Sequence, residues 1–203
     1  MPKTREQCQE IKDERRESII NTCISLFAFH DYQSISVDTI TNTAKCSHGL
    51  FYHYFSSKEH VLDATLQKAC NDIDSLVYSK DNMENPPLTR LSNIMKAIEG
   101  ILSSSNDQII CELYLLLNLH LKCDSLIKSK TNFKPKNKPL FHLVFELIEQ
   151  GQKENVFDGT DPKEYTIALM SMIKGLAYNR LHLGHKKFIC PRSEILMNIV
   201  CKR

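Results

Sequence analysis

A chain of 203 residues, 42% of them hydrophobic and 25% charged, can bury a core without disulfides or a structural metal. A net charge of only +2 excludes a protein that holds nucleic acid through a global basic field, so any such contact has to be local. Eight cysteines without a C-x-x-C pair or zinc-ligand spacing read as small apolar residues in a reducing compartment. The charged start, MPKTREQCQEIKDERRE, lacks the apolar segment of a signal peptide. The run IICELYLLLNLHL is too short and too polar to span a bilayer, so the expectation is a cytoplasmic protein without membrane contact.

Val/Ile-rich alternation with Asn-Gly turns is missing, and the chain reads as all-α. Ile19, Ile20, Cys23, Ile24, Phe27 and Ala28 recur at helical spacing and predict a first helix from about Asp13 to Phe29. HDYQSIS ends it with turn-forming residues. Ser36 caps a short helix with Val37, Ile40, Thr41 and Ala44 on one face. KCS is a three-residue turn, and Ser47 caps a second short helix with Phe51, Tyr54 and Phe55 turned inward. Ser56-Ser57-Lys58-Glu59 has the form of a capping box, with Ser56 and Glu59 as its reciprocal members, and starts a helix running to about Tyr78. After the SKDNMENPPL linker come helices at about Leu88–Ser104, Asp107–Cys123, Pro139–Glu154 and Pro162–Leu183. The last of these is opened by Asp161-Pro162-Lys163-Glu164, and a short helix follows Pro191.

Two short helices joined by a tight turn and braced by a helix on either side describe a helix-turn-helix. Its inner residues, Val37, Ile40, Ala44, Phe51 and Phe55, can share a core with Ile20, Ile24 and Phe27. That leaves Ser47, His48, Leu50, Tyr52 and His53 on the outer face of the second short helix. Tyr hydroxyls and His nitrogens reach phosphates or base edges, Leu50 offers contact to a thymine methyl, and Gly49 lets backbone approach a groove wall. Lys58 at a helix start forms a phosphate clamp with the free N–H groups there. Periodicity alone leaves a second reading open, in which the rings form a hydrophobic cluster or a helix-helix contact.

RRESIINTCISLFAFHDYQSISVDTITNTAKCSHGLFYHYFSSKEHVL resembles the N-terminal DNA-binding segment of the TetR family of bacterial repressors. Gly49-x-Phe51-Tyr52-x-Tyr54-Phe55 followed by Ser57-Lys58-Glu59 is the most specific part of the match. The resemblance implies an N-terminal three-helix domain, residues 1–58, and a helical effector-binding and dimerisation domain, residues 59–203. It implies a homodimer on a palindromic double-stranded operator, released by a small-molecule ligand. By position, Ser36 matches a phosphate-contacting Ser/Thr and Ser47 a recognition-helix cap. His48, Gly49 and Leu50 match base-facing positions, Tyr52 and His53 match backbone and base contacts, and Lys58 matches a phosphate-binding lysine. Two departures stand out: Lys45 occupies a turn position that usually holds Gly, and His48 a position that often holds Lys. Lys45 must then turn left-handed or bend the turn differently.

Residues 1–60 carry seven basic against eight acidic side chains, so DNA affinity should rest on a few placed contacts. It should strengthen at mildly acidic pH, where His48 and His53 gain charge. Glu112, Tyr114, Asn118 and His120 are the polar exceptions on the most apolar helix; some of them orient a ligand, or they reach the surface and cap nearby backbone. Met95 and Ile98 are candidates for the opposite wall, or plain core. Phe141, Val144, Phe145 and Ile148 form one stripe; Ala168, Ser171, Gly175 and Tyr178 form another. Together they could build a four-helix dimer interface, or face the chain's own core. No catalytic, metal-binding or cofactor motif is found, and neither enzyme activity nor a cofactor is expected. A regulator whose ligand promotes DNA binding, an activator, and a cytosolic all-α binding protein without DNA function remain the alternatives.

Overall fold

The computed structural model describes residues 5–80, 83–121, 133–159 and 161–198, the side chains of residues 5, 8, 80, 120 and 121 excepted. Its regular elements there are nine α-helices and two short 3-10 turns: α1 (Arg5–Phe29), α2 (Val37–Thr43), α3 (His48–Tyr54), α4 (Lys58–Val77), α5 (Pro87–Leu102), α6 (Asp107–Leu121), α7 (Leu140–Lys153), α8 (Pro162–Leu183) and α9 (Ser193–Met197). The all-α expectation and the order of the helices hold. α1 begins at Arg5, well before Asp13, because its first turns are polar and exposed and carry no apolar stripe to read.

Two buried cores organise the helices. In the first, Ile20, Ile24 and Phe27 of α1 meet Ile40 of α2, Phe51 of α3 and Phe55 just after it, and Val61, Leu62 and Leu66 of α4. Phe51 and Phe55 are wholly buried, and each such ring contributes about 2–3 kcal/mol by leaving water. In the second, Ile73 and Val77 at the far end of α4 join α5, α6, α7, α8 and α9. α6 serves both: Cys111 and Leu115 face the first core, Ile110, Leu113 and Leu117 the second. α4 and α6 are therefore shared between the two halves.

Local signals fix the ends. Ser36 Oγ accepts from Thr39 N at 3.0 Å and Ser47 Oγ from Leu50 N at 3.1 Å, as the capping pattern requires. The start of α4 differs by one residue from the expected capping box. Ser57, not Ser56, is the cap, accepting from His60 N at 3.2 Å. His60 reaches back in the role foreseen for Glu59, its Nδ1 accepting from Ser56 N at 3.2 Å. Glu59 is drawn off by Tyr32, whose hydroxyl donates to Glu59 Oε1 at 2.7 Å. At α8, Asp161 accepts from Lys163 N at 2.8 Å and Pro162 takes the first turn. Arg180, fully buried on α8, donates to Ser104 O at 2.6 Å and pairs with Asp107 Oδ1 at 3.0 Å, tying the α5–α6 turn to α8.

Candidate nucleic-acid interface and effector site

α3 is a short helix with two unlike sides. Phe51 is fully buried, while Tyr52, its neighbour, is 55% exposed and stands edge-on to the Phe51 ring at 5.3 Å. His53 is exposed and stacks edge-on with Tyr54 at 4.9 Å. Ser47, His48 and Gly49 are exposed and Leu50 is half-buried, so the residues expected on the outer face of α3 lie together there. A Cβ built on Gly49 would meet nothing nearer than Ser47 Oγ at 4.0 Å. The fold itself does not need a glycine there, and a helical Gly costs about 1 kcal/mol against Ala.

The turn feeding α3 has Lys45 at φ 52°, the left-handed alternative of the two foreseen. It places α3 so that His48 Nε2 lies 3.0 Å from Asp38 Oδ1 and 3.4 Å from Thr41 Oγ1 on α2. This pairing of the first residue of α3 with α2 was not visible in sequence, where the two residues carry no helical spacing. Ser36 is exposed at the start of α2 and engaged as its cap. Lys58 is held inward: Nζ donates to Tyr32 O and Ile35 O, each at 2.8 Å, and sits 4.0 Å from the centre of the Tyr32 ring. In this arrangement Lys58 anchors the α1–α2 connection to α4.

The expected effector residues separate into three environments. Met95 and Ile98 are fully buried in the second core. Tyr114 and Asn118 join α6 to the end of α1: Tyr114 stacks on Phe29 at 5.4 Å, and Asn118 Nδ2 donates to Ala28 O at 2.9 Å. Glu112 lies on an open pocket of about 320 Å³ between α4 and α6, whose lining does not include Met95 or Ile98. The side chain of His120 lies outside the described residues.

Glu112 is 1% exposed, and its Oε2 has no hydrogen-bond partner. Burial first, then the Asp72 carboxylate, push its carboxyl up to about 7. Lys68 Nζ lies 2.6 Å from Asp72 Oδ2, 3.0 Å from Glu17 Oε1 and 3.8 Å from Glu112 Oε1. Burial alone would lower the Lys68 ammonium, but these carboxylates outweigh it and hold it above the usual lysine range. The i, i+4 spacing of Lys68 and Asp72 marks them in sequence as a surface ion pair, but nothing in it points to Glu112 on another helix.

The expected dimer stripes also divide. On α8, Ala168, Ser171, Gly175 and Tyr178 are all exposed along one face, with no atom within 4 Å of a Cβ built on Gly175. On α7 the expectation needs correction. Val144 and Ile148 are wholly buried against the chain's own core, which leaves them nothing to offer a partner; Phe141 and Phe145 are half-buried. Among the described residues no group of three or more His, Cys, Asp or Glu could hold a metal ion. No described helix is long and apolar enough to cross a membrane. Cys23, at the centre of the first core, has its thiol pushed up to about 12 by burial and then by Cys46, as suits a packing residue.

Residues 19–65 match the family model for bacterial regulatory proteins of the tetR family. The Transposon Tn10 TetC protein of Escherichia coli is 32% identical over 94 residues, 46% of this chain and 44% of that one. The HTH-type transcriptional regulator HbdR of Aromatoleum sp. (strain CIB) is 26% identical over 101 residues, 50% of this chain and 44% of that one. The chain thus spans less than half the length of these relatives. AibR, solved in complex with isovaleryl coenzyme A and operator DNA, has the same fold, with a TM-score of 0.62 at 16% identity over 91% of this chain and 94% of that one. The helix-turn-helix segment is thus similar to that of bacterial regulatory proteins of the tetR family, and the helical frame that carries it shares the fold of AibR.

Proposed function

We propose that the chain is a cytoplasmic transcriptional regulator without catalytic activity, a homodimer that binds a two-fold symmetric operator and is released from it by a small molecule. The observation that carries this reading is the outer face of α3, where Tyr52 and His53 stand in solvent beside a glycine the fold does not require. Ser47, His48, Gly49 and Leu50 reach base edges or the groove wall, Tyr52 and His53 bases or phosphates, and Ser36 a phosphate. Lys58 contributes by holding the frame and by its charge near the backbone. The exposed α8 face, with Phe141 and Phe145 beside it in sequence order, is the surface for the second copy. Tyr114 and Asn118 connect effector half to reading head, and Glu112 lines the effector pocket. The relative solved with isovaleryl coenzyme A and operator DNA supports the combination of a small ligand and an operator on this fold.

The test is a selection from random duplex DNA with the purified protein at low salt. A two-fold symmetric site is expected. Tyr52→Ala should lower affinity for it about tenfold or more, the scale of one good groove contact, with the thermal transition unchanged. Failure to enrich any duplex with a folded dimer, with and without candidate ligands, would overturn the reading.

A further inference from the structure

We propose that the pocket between α4 and α6 binds a small organic cation, an alkylammonium or guanidinium group, anchored on Glu112; its regulatory meaning rests on the functional reading above, its binding does not. Glu112 is almost wholly buried; its Oε1 accepts from Gln108 Nε2 at 3.4 Å and its protonated form has the Asp72 carboxylate as a partner, while Oε2 receives no donor from the fold. Leaving a buried carboxylate oxygen without a donor is costly, so the ionised form of Glu112 lacks a donor in this site. The charges facing it are unbalanced. Lys68 is one cation set among three carboxylates, Glu17 from α1, Asp72 from its own helix α4 and Glu112 from α6. An anion entering here would meet Asp72 and Glu112, and is excluded by Coulomb repulsion.

The space favours an organic ion over an inorganic one. About 320 Å³ is many times the ~30 Å³ share of one water. Leu76 and Ile109 supply apolar wall, and Asn106 and Gln108 supply amides beside the charged groups. A hard metal ion would need a shell of oxygens, and here the Lys68 ammonium already occupies the centre of the carboxylates. The position also gives the ligand leverage, because the same carboxylates connect α1 of the reading head to α4 and α6. Glu112 titrates near neutrality, so a cation seated on it displaces its proton, and affinity falls by up to about tenfold per pH unit below 7.

The test is calorimetric titration of the full chain with benzylammonium, benzyl alcohol and benzoate as a matched set, and with magnesium chloride. Benzylammonium is expected to bind at pH 8 at least tenfold more tightly than benzyl alcohol or benzoate, and more weakly at pH 6. Glu112→Gln should abolish that preference while keeping the helical circular-dichroism signal. Lys68→Met removes the competing internal cation and should tighten benzylammonium binding, a gain that a purely structural role for the cluster would not produce. Equal binding of the neutral alcohol, undiminished binding to Glu112→Gln, unchanged or weaker binding to Lys68→Met, or displacement by magnesium overturns the site. Charge-selective, Glu112-dependent binding that leaves duplex affinity unchanged supports the site and overturns the effector-release part of the functional reading instead.

Discussion

Lys45 holds the turn between α2 and α3 at φ 52°, where its Cβ crowds the following carbonyl. The side chain is exposed, so packing does not offset the strain. Lys45→Gly should raise stability by up to about 1 kcal/mol, the relieved strain exceeding the entropy that Gly adds to the unfolded chain. A shift of the urea midpoint to higher concentration at unchanged slope would show it. Glu112 makes the opposite point about charge. Its folded carboxyl titrates near 7 against an ordinary 4.5, so the folded state binds the proton more tightly than the unfolded state does. Stability from this group is complete below about pH 4.5 and is lost as pH rises through 7. Glu112→Gln, which removes the buried charge, should therefore be more stable than the parent by about 1–3 kcal/mol at pH 8. At pH 5 the two should melt together. Thermal melts at the two pH values check the sign, with about 2–4 °C expected per kcal/mol.

At the scale of elements, the helices were legible where their signals are local. Ser36 and Ser47 cap within three residues of themselves, and Asp161-Pro162 announces α8 without any tertiary partner. What stayed hidden depends on how helices cross. The Asp38–His48 contact exists only because the turn at Lys45 brings α3 back toward α2. Lys58 was readable as a surface cation, yet two carbonyls from the α1–α2 connection capture it. Val144 and Ile148 formed a stripe, but a stripe does not say whether it faces a partner or its own core, and burial decided that. The end of α7 shows a further contact that no periodicity contains. The Phe157 ring lies over Gly151, so that a Cβ there would come within 2.2 Å of Cδ2. Both residues are buried, and neither can yield without moving the loop that folds back on Gly151 O. Gly151→Ala should cost about 1–3 kcal/mol, the usual penalty of overpacking, measured as a lowered thermal midpoint.

For the whole molecule, the exposed face of α8 is the feature with the largest reach. Ala168, Ser171 and Gly175 are small and let a second helix come close, and Tyr178 adds a half-exposed ring at one end. Since a Cβ at Gly175 meets nothing within 4 Å and the position is exposed, Gly175→Leu should leave the fold intact and obstruct only the proposed partner. The proposed dimer should then give way to monomers in light scattering after gel filtration, and the proposed affinity for a two-fold symmetric duplex should fall more than tenfold as the second helix-turn-helix is lost. An unchanged dimer would move the interface elsewhere.

The sharing of α6 between the two cores bears on how such proteins exchange parts. Cys111 and Leu115 lie far along the chain from the helix-turn-helix, yet they complete its interior beside Phe51 and Leu62. A hybrid that grafts this helix-turn-helix onto a foreign C-terminal half at the end of α3 or α4 leaves that interior open on one side. The seam that keeps it closed runs along one face of α6, so a working graft must carry Cys111 and Leu115 with the head while leaving Ile110, Leu113 and Leu117 to the new body.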